Sequence, residues 1–466
     1  MVEHLTPTDA SMLAIEDADH GSHIQVIYVF EGEPPTPLEF RETVEQRLLG
    51  APRFRQRVVR VPFNLGRPAW VDDERFDLDF HLRRTALPSP GGEEELRALS
   101  NRLLQRPLDL GRPLWEMWLV EGLAANHFAV IHRVHHCMVD GVATQDISGM
   151  MFSSSPEEDR PVAEPACPGH VPSQAELVVS GLSDLAAHSS RVLAGLLRGS
   201  RAPRDLWDDA VQSARTLGTL TGVSGAVPTT LINRPGGPRR RTDWVRLPMA
   251  ELRETKNLVG TTLNNVVLAA ATGALHRYLE RQGEPITAGM RAMVPVSVRL
   301  DPDRGVLGNQ VSAIYPVLPV GETDPERRLA LVAAEVEELR GGQGVALERL
   351  MNLGGFAPPT IMEQVQRLLL LNPGAHNLVI SNVPGPGTPY YLRGRKLVEV
   401  LPSGTTMPRH GLNLVMISYL GTLFVAVSSD PDVVPDAAGF ASALEHSFAE
   451  LRDWARTRVD PAEPAQ

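Results

Sequence analysis

The feature that most constrains the fold is the run of residues 127–136 and the turn that follows it. The run is short, rich in Val, Ile and Phe, and free of Gly and Pro, which is typical of a buried β-strand. It ends in His135-His136 and is followed by Asp140-Gly141. Because glycine adopts turn conformations at no steric cost, we predict a strand that runs into a tight turn.

The two adjacent histidines are predicted to point to opposite sides of this strand. Side chains alternate along a strand, so His132 and Val134 share a face with His136, and Arg133 shares a face with His135. One histidine can then face a cavity while the other is held inside the fold.

Three interpretations of the histidines follow. A metal site is disfavoured, because the same-face pair His132 and His136 is separated by four rises of about 3.3 Å, roughly 13 Å, too far to share one ion. Two core histidines with satisfied hydrogen bonds are the second interpretation. The third, a positioned base, is favoured because the pair stands at a strand end, before a turn glycine and a polar helix start.

Composition excludes several classes of protein. A length of 466 residues with 42% hydrophobic content suits two domains of ordinary size. A net charge of -11 does not indicate nucleic acid as a partner. Cys137 and Cys167 are the two cysteines, so no disulfide framework is expected and a reducing cytosol fits best. We find no nucleophile elbow, P-loop or dinucleotide fingerprint.

No targeting or spanning segment is expected. The first residues lack a basic region followed by an apolar run, so no signal peptide is predicted. The longest apolar stretch, 177–197, is interrupted by Asp184, His188 and Arg191, which makes a spanning helix improbable.

Hydrophobic patterning predicts an α/β chain with an N-terminal half at 1–165, a connecting crossover at 166–238 and a C-terminal half at 239–466. Strands are predicted at 23–30, 58–63, 68–71, 113–120, 127–136, 288–298, 310–318, 377–383, 392–401, 411–419 and 422–428. Helices are predicted at 37–49, 93–105, 175–197, 263–279, 325–339 and 436–456, with more helix within 347–371. The connection is either a surface linker or a segment over an active-site mouth or a lipid surface.

Further motifs accompany the histidines. They are Pro113-Leu114-Trp115, Asn264-Asn265-Val266-Val267-Leu268-Ala269, Val294-Pro295-Val296-Ser297, Ser381-Asn382-Val383-Pro384-Gly385-Pro386 and Ser418-Tyr419-x-Gly421. By the residues alone, Trp115 is core or cavity wall, and Asn264 and Asn265 either cap a helix or meet negative charge there.

The segment at 135–141 matches the His-His-x-x-x-Asp-Gly signature of the CoA-dependent acyltransferase superfamily, which resembles chloramphenicol acetyltransferase in fold and includes condensation domains of peptide synthetases. All the motifs together, over residues 5–436, resemble the bacterial wax ester synthase/diacylglycerol acyltransferase family. One departure is Asn265, where that family usually has Asp.

The resemblance implies a fold of two similar α/β halves, each a mixed β-sheet flanked by helices, with an active-site tunnel between them. Asp140 is then structural and pairs with an arginine, for which Arg299 is a candidate. The implied catalytic residues are His136 as general base, His135, Asp140, Gly141 and Asn264, and the implied substrate-binding residues are Pro113, Leu114, Trp115, Asn382, Pro384 and Gly385.

The resemblance also implies a reaction, the transfer of a long-chain acyl group from acyl-CoA to the hydroxyl of diacylglycerol or of a long-chain alcohol. A hydroxyl is protonated at neutral pH, so it needs a base within reach, and neutral imidazole suits. The leaving CoA thiol has a pKa near 8.5, taking cysteine as the model. Direct attack without an acyl-enzyme follows, and no metal or other cofactor is expected.

Two alternatives stay open at this point: a condensation-domain-like acyltransferase, and a catalytically silent lipid-binding protein of the same fold. The lipid substrates predict a cytoplasmic protein peripherally associated with the inner face of the membrane or with lipid inclusions. The predicted contacts are residues 177–197 or 365–371, aided by Arg198, Arg201 and Arg204 near anionic head groups.

Overall fold

The computed structural model describes residues 2–16, 21–138, 143–157, 169–198, 228–286, 289–297, 311–340, 375–404 and 406–458. Structural statements below concern these stretches. Several predicted features lie outside them: Asp140, Gly141, Cys167, Arg201, Arg204, Arg299 and the helix within 347–371, including 365–371.

The described elements are mixed in type. The helices are α1 (Pro7–Ala14), α2 (Pro37–Leu48), α3 (Leu78–His81), α4 (Glu93–Leu104), α5 (Ala143–Met151), α6 (Gln174–Arg198), α7 (Met249–Leu258), α8 (Leu263–Arg281), α9 (Pro325–Arg340) and α10 (Ala437–Thr457). The strands are β1 (Glu3–His4), β2 (His23–Glu31), β3 (Gln56–Val59), β4 (Ala69–Asp72), β5 (Leu82–Ala86), β6 (Trp115–Leu123), β7 (His127–His135), β8 (Arg241–Pro248), β9 (Met290–Ser297), β10 (Val311–Ile314), β11 (Val317–Leu318), β12 (Leu378–Val383), β13 (Tyr391–Leu392), β14 (Arg395–Ser403), β15 (Leu412–Tyr419) and β16 (Thr422–Ser429).

The histidine strand β7 lies inside a six-stranded sheet of order β13-β14-β2-β7-β6-β5. It is antiparallel to both β2 and β6. A tight turn joins β6 to β7, with Ala125 and Asn126 at φ 58° and 55°. On the other side, His135 stands opposite His23. Because both neighbours pair with β7, its register, and with it the side to which each residue points, is determined.

A small sheet of order β1-β4-β3 and helix α1 lie beside the end of β7. The side chain of Thr6 caps α1 by accepting the N–H of Asp9. Leu5, Leu13 and Cys137 belong to one buried cluster. This packing brings the residues after α1 to the histidine turn.

The second sheet has the order β10-β9-β12-β15-β16-β8, with β11 also paired to β9. β12 is parallel to β9 and β15, and the other pairs are antiparallel. Leu414, Val425 and Val245 belong to an aliphatic core shared with the helices α7 to α10. Helix α8 is buried along most of its length in this core.

The opposite face of the second sheet packs against the first half of the molecule. Trp244, Ile417 and Phe424, which alternate with residues of the aliphatic core, belong to the core of the N-terminal half. The indole Nε1 of Trp244 donates to the carbonyl oxygen of Pro402 at 2.8 Å. Because side chains alternate along these strands, one face of the second sheet packs into the aliphatic core and the other face packs into the core of the N-terminal half.

Strand β14 crosses between the halves. It follows β12 in the chain, yet it pairs with β2, with Val400 opposite Tyr28. The mixed α/β class is confirmed. β13 and β14, which lie within 239–466, belong to the first sheet, and the division of the chain into 1–165, 166–238 and 239–466 stays a prediction. Alternation shows which residues are buried, but it does not name the strand that a given strand pairs with. The boundaries near 165 and 238 stay predictions.

Among the other elements, the helices at 175–197 and 263–279 are confirmed as α6 and α8. The strand predicted at 58–63 is wrong beyond Val59, because Pro62–Asn64 forms a 3-10 turn; proline has no N–H for a strand ladder.

No single helix within the described stretches is long and apolar enough to cross a membrane, although the bent pair Met249–Val259 and Leu263–Arg281 passes that test together, at an angle of 102°.

Candidate active site

The histidine strand ends one residue earlier than predicted, at His135. His136 opens a turn, and its N–H donates to the carbonyl oxygen of Ser22 at 2.8 Å. The N–H of Met138 donates to the carbonyl oxygen of His135 at 2.9 Å, which closes the turn. The side chain of His135 is fully buried, and His136 is half-buried. The expectation that one histidine is held inside the fold is therefore confirmed for His135.

Both ring nitrogens of His135 are engaged. Nδ1 accepts the backbone N–H of Cys137 at 3.1 Å, and Nε2 lies 3.1 Å from Oε2 of Glu16. Because a backbone N–H only donates, Nδ1 carries no proton, and the ring proton stands on Nε2 and is donated to Glu16. His135 is thus a neutral, fully used imidazole.

Two further histidines beside the site are buried and neutral. Burial lowers the pKa of His132 to about 4. The pKa of His23 is lowered to about 3, first by burial and then by the charge of Arg133. His23 also hydrogen-bonds the carbonyl oxygen of Leu104 at 3.0 Å. Both rings are buried beside the histidine turn.

A buried ion pair stabilises the sheet next to the histidine turn. Nη1 of Arg133 lies 2.8 Å from Oε2 of Glu116, and the two side chains are 2% and 16% exposed. The indole of Trp118 donates to the same Glu116 oxygen at 3.1 Å, and Arg133 also donates to the carbonyl oxygen of Arg106. These partners offset the cost of removing both charges from water.

The Pro113-Leu114-Trp115 segment supports the histidine strand directly. The carbonyl oxygen of Leu114 accepts the N–H of His135 at 2.9 Å. Trp115 is fully buried, stacks on His81 at 4.5 Å and donates its indole N–H to Phe54 at 2.8 Å. The core position of Trp115 is confirmed, while substrate contact by Pro113, Leu114 and Trp115 stays a prediction.

The Asn264-Asn265 pair lies in the first turn of α8, as predicted. Thr262 caps the helix by accepting the N–H of Asn265 at 3.2 Å. Nδ2 of Asn265, at the position where the related family usually has Asp, donates to Oγ1 of Thr261 at 3.1 Å. Asn264 is half-buried. Asn265 thus has a local structural role, and the catalytic assignment of Asn264 stays a prediction.

Two motifs that the sequence shows separately meet in space. The N–H of Gly385 donates to Oγ of Ser418 at 3.0 Å. A Cβ on Gly385 would lie 1.8 Å from the carbonyl oxygen of Ser418, so only glycine allows this approach. Asn382 pairs with Met416 near the end of β12, and Pro384 is exposed. Substrate binding by these residues stays a prediction.

Cys137 is not a candidate nucleophile. Burial raises the pKa of its thiol well above the ordinary value, and Asp9 and Glu16 add to that effect; a neutral thiol is a poor nucleophile. Among the described residues, no group of three or more His, Cys, Asp or Glu side chains could hold a metal ion.

The structure therefore joins His135 to Leu114, and it adds two residues that the motifs did not indicate, Ser22 and Glu16. They lie at least 91 positions from the nearest motif residue, Pro113, and no local pattern marks them.

Comparison with known proteins decides the family. Residues 5–267 match the wax ester synthase/diacylglycerol acyltransferase catalytic domain, and residues 307–452 match the WS/DGAT C-terminal domain. The chain belongs to the wax ester synthase/diacylglycerol acyltransferase family. It is accordingly an acyl-CoA-dependent O-acyltransferase, as the motifs predicted.

Relatives of this acyltransferase are found over nearly its whole length. It is 32% identical over 461 residues, 97% of this chain and 96% of the relative, to a probable diacylglycerol O-acyltransferase of Mycobacterium tuberculosis. A putative diacylglycerol O-acyltransferase of Mycobacterium bovis matches equally well, with the same identity and coverage.

Solved structures support the fold of the acyltransferase. The wax ester synthase/diacylglycerol acyltransferase from Marinobacter aquaeolei VT8 matches with a TM-score of 0.69 and 25% identity, over 97% of this chain and 100% of that one. The first condensation domain of the CDA synthetase matches with a TM-score of 0.62 and 18% identity, over 99% and 97%. The second likeness shows a shared fold, which agrees with the predicted superfamily.

Proposed function

We propose that this acyltransferase moves a long-chain acyl group from acyl-CoA to the hydroxyl of diacylglycerol, of a long-chain fatty alcohol, or of both, with His136 as general base. The relatives are named for the first acceptor, and the Marinobacter enzyme is named for both products. The products would be triacylglycerol and wax ester.

The observation that carries the role of His136 is the difference between the two histidines. The side chain of His135 is fully buried, and both of its ring nitrogens are engaged, by Cys137 and Glu16. It has no nitrogen left for a substrate. His136 is half-buried, in the turn beyond the strand. Of the pair, His136 is the more exposed to solvent and so the better placed to meet a reacting hydroxyl.

The chemistry needs one proton to move twice. Neutral His136 removes the proton of the acceptor hydroxyl as its oxygen attacks the thioester carbonyl. The tetrahedral intermediate collapses, the carbon–sulfur bond breaks, and the CoA sulfur takes the proton back from the imidazolium. The products are an ester and free CoA, and His136 is again neutral. In this proposal Asp140 and Gly141 hold the turn, and Asn264 lies near the developing negative charge.

An assay with purified protein tests this proposal. Labelled palmitoyl-CoA is offered with dioleoylglycerol, with hexadecanol, and with neither. Labelled triacylglycerol or wax ester, dependent on the matching acceptor, supports the proposal and ranks the two acceptors. A folded protein that gives product with neither acceptor would favour the silent lipid-binding alternative. Product with an aminoacyl thioester instead would favour the condensation-domain alternative.

We further propose that the protein is cytoplasmic and works peripherally at a lipid surface, the inner face of the membrane or a lipid inclusion. The supporting observation is an apolar patch formed by Phe63 and Leu65, 89% and 37% exposed, and by Val179 and Leu182, 68% and 47% exposed. Val179 and Leu182 lie on α6. Phe63 and Leu65 lie on the loop against which α6 packs through Gly181. Exposed apolar patches of this kind are typical of interaction sites.

Vesicle cosedimentation tests this patch. The double variant Val179→Ser/Leu182→Ser should bind less tightly to vesicles that contain diacylglycerol and anionic phospholipid. The reason is that less apolar surface enters the lipid interface. Leu38→Ser is the matched control, since Leu38 is 65% exposed on a different helix, α2. Binding that is equal in all three proteins would refute the patch, and no binding to any vesicle would refute surface association.

A further inference from the structure

We infer that Glu16 is a positioning residue for the acyl-transfer reaction, acting through His135 on the turn that carries His136. The inference rests on the proposed role of His136 as base. Glu16 belongs to none of the motifs, and it follows α1 with Ile15 between them. Its side chain is 12% exposed and reaches the end of β7.

The first step of the argument is the contact itself. Oε2 of Glu16 lies 3.1 Å from Nε2 of His135. The N–H of Cys137 occupies Nδ1 of that ring, which fixes the tautomer with its proton on Nε2. A carboxylate is a strong acceptor for such a proton. Glu16 therefore holds both the orientation and the tautomer of His135.

The second step leads from the ring to the turn. His135 accepts the N–H of Cys137, the residue directly after His136, and its backbone binds Leu114 on one side and Met138 on the other. His136 is thus bracketed by two residues that His135 anchors. Rotation of the imidazole would release the Cys137 amide in a buried place, where an unpaired N–H is costly.

The third step concerns the chain segment after Glu16. Ser22 supplies the carbonyl oxygen that accepts the N–H of His136. Gly21 passes so close to the His23 ring that an added Cβ would lie 2.7 Å from Nδ1, and 3.6 Å from Oε1 of Glu16. The same N-terminal stretch therefore contacts both histidines, His135 through a side chain and His136 through the backbone.

This arrangement differs from a carboxylate–histidine pair in which the carboxylate contacts the base itself. Here the carboxylate contacts the neighbouring histidine, so it receives no proton from the base during turnover. Its effect is geometric, and a displacement of about 1 Å in a reacting group costs up to about 10²-fold in rate.

Steady-state kinetics of Glu16 variants test the inference, with palmitoyl-CoA and dioleoylglycerol or hexadecanol as substrates. Glu16→Ala should lower kcat by about 10- to 100-fold and leave KM for palmitoyl-CoA within about twofold, because no substrate contact is removed. Glu16→Gln should keep kcat within about fivefold of the wild type, because its amide oxygen still accepts the His135 proton. Glu3→Gln is the matched control at wild-type rate, since Glu3 pairs with Arg53 on the surface of the same N-terminal stretch.

A double-mutant cycle shows whether Glu16 acts through His135. In a His135→Ala background, Glu16→Ala should lower kcat by less than about a further twofold, because the ring that Glu16 orients is gone. If the His135→Ala protein does not fold, His135→Gln is used as the background. Wild-type kcat in Glu16→Ala would overturn the inference. So would a full additional loss in the double mutant, or a Gln variant as slow as the Ala variant.

His136→Ala separates this inference from the proposed function. If that variant turned over at the wild-type rate, the base assignment would fail whatever Glu16 does. If it were inactive while Glu16→Ala matched the wild type, the base assignment would stand and the positioning role of Glu16 would be refuted.

Discussion

Strands β7 and β15 both occupy interior positions in their sheets, but they differ in the side chains that they bury. In β7, His132, Arg133 and His135 are all buried. In β15, Leu414 and Met416 alternate toward an aliphatic core with helices. Near its C-terminal end β7 therefore buries three polar side chains, whereas the face of β15 that meets the helices buries hydrophobic ones.

The difference teaches what the site requires of its surroundings. The buried charged group Arg133 and the buried ring of His135 need partners, because an unpaired polar group is costly; Arg133 has Glu116 and His135 has Glu16. The β15 core needs only matched volume. We expect substitutions of the polar residues on and around β7 to lower the catalytic rate or to leave charges unpaired. Substitutions of the core-facing residues of β15 should affect stability alone.

The largest expected effect on rate is that of His136→Ala. Removing a general base should lower kcat by about 10²- to 10⁴-fold with little change in melting temperature. Turnover with palmitoyl-CoA and circular dichroism melting are the measurements. A fully active His136→Ala alongside a folded but inactive His135→Ala would reverse our assignment of the two rings.

Among substitutions of the polar residues on and around β7, Glu116→Ala should cause the largest loss of unfolding free energy. It leaves the guanidinium of Arg133 buried and unpaired, which typically costs about 3 to 5 kcal/mol. Glu121→Ala on the same strand β6 is the control, because its partner Arg84 is 56% exposed and such pairs contribute about 1 kcal/mol or less. Equal losses of unfolding free energy in urea would contradict the contrast.

Leu414→Ala tests the apolar side. Leu414 is fully buried in the aliphatic core, so its truncation should lower the unfolding free energy by about 2 to 5 kcal/mol. The kcat of the remaining folded enzyme should stay within about twofold, since no hydrogen bond of the histidine turn is touched. A selective loss of kcat without loss of stability would end the division of roles between the strands.

The smallest expected effect is a dependence of stability on pH that comes from β7. The pKa of His132 is lowered from 6.5 to about 4 in the folded chain, so below pH 6.5 the unfolded chain binds a proton that the folded chain does not. Stability is then lost as pH falls from 6.5 toward 4, and at pH 5 the loss is about 2 kcal/mol. Urea unfolding at pH 7.5 and pH 5 measures the loss. The loss of unfolding free energy should be smaller in His132→Leu. An equal loss in that variant would show that groups other than His132 cause it.

Much of the site was predictable from sequence because the motifs are local. The strand and the turn depend on residues within a few positions of one another, where periodicity and turn chemistry apply. Alternation predicted that one of the two histidines is held inside the fold, and the structure shows that it is His135. The strand end was wrong by one residue, since the hydrogen bond from His136 to Ser22 is not local.

The sequence by itself determined the family, through the motifs that resemble it. It also determined the α/β class, the histidine strand and most helices, because these depend on short periodic patterns. The tertiary structure alone decided that β14 crosses into the first sheet, that Gly385 meets Ser418, and that Glu16 reaches His135. Each of these contacts joins residues at least 33 positions apart. Such pairings depend on how the whole chain packs, and single-sequence patterns carry no information on which distant partner will be chosen.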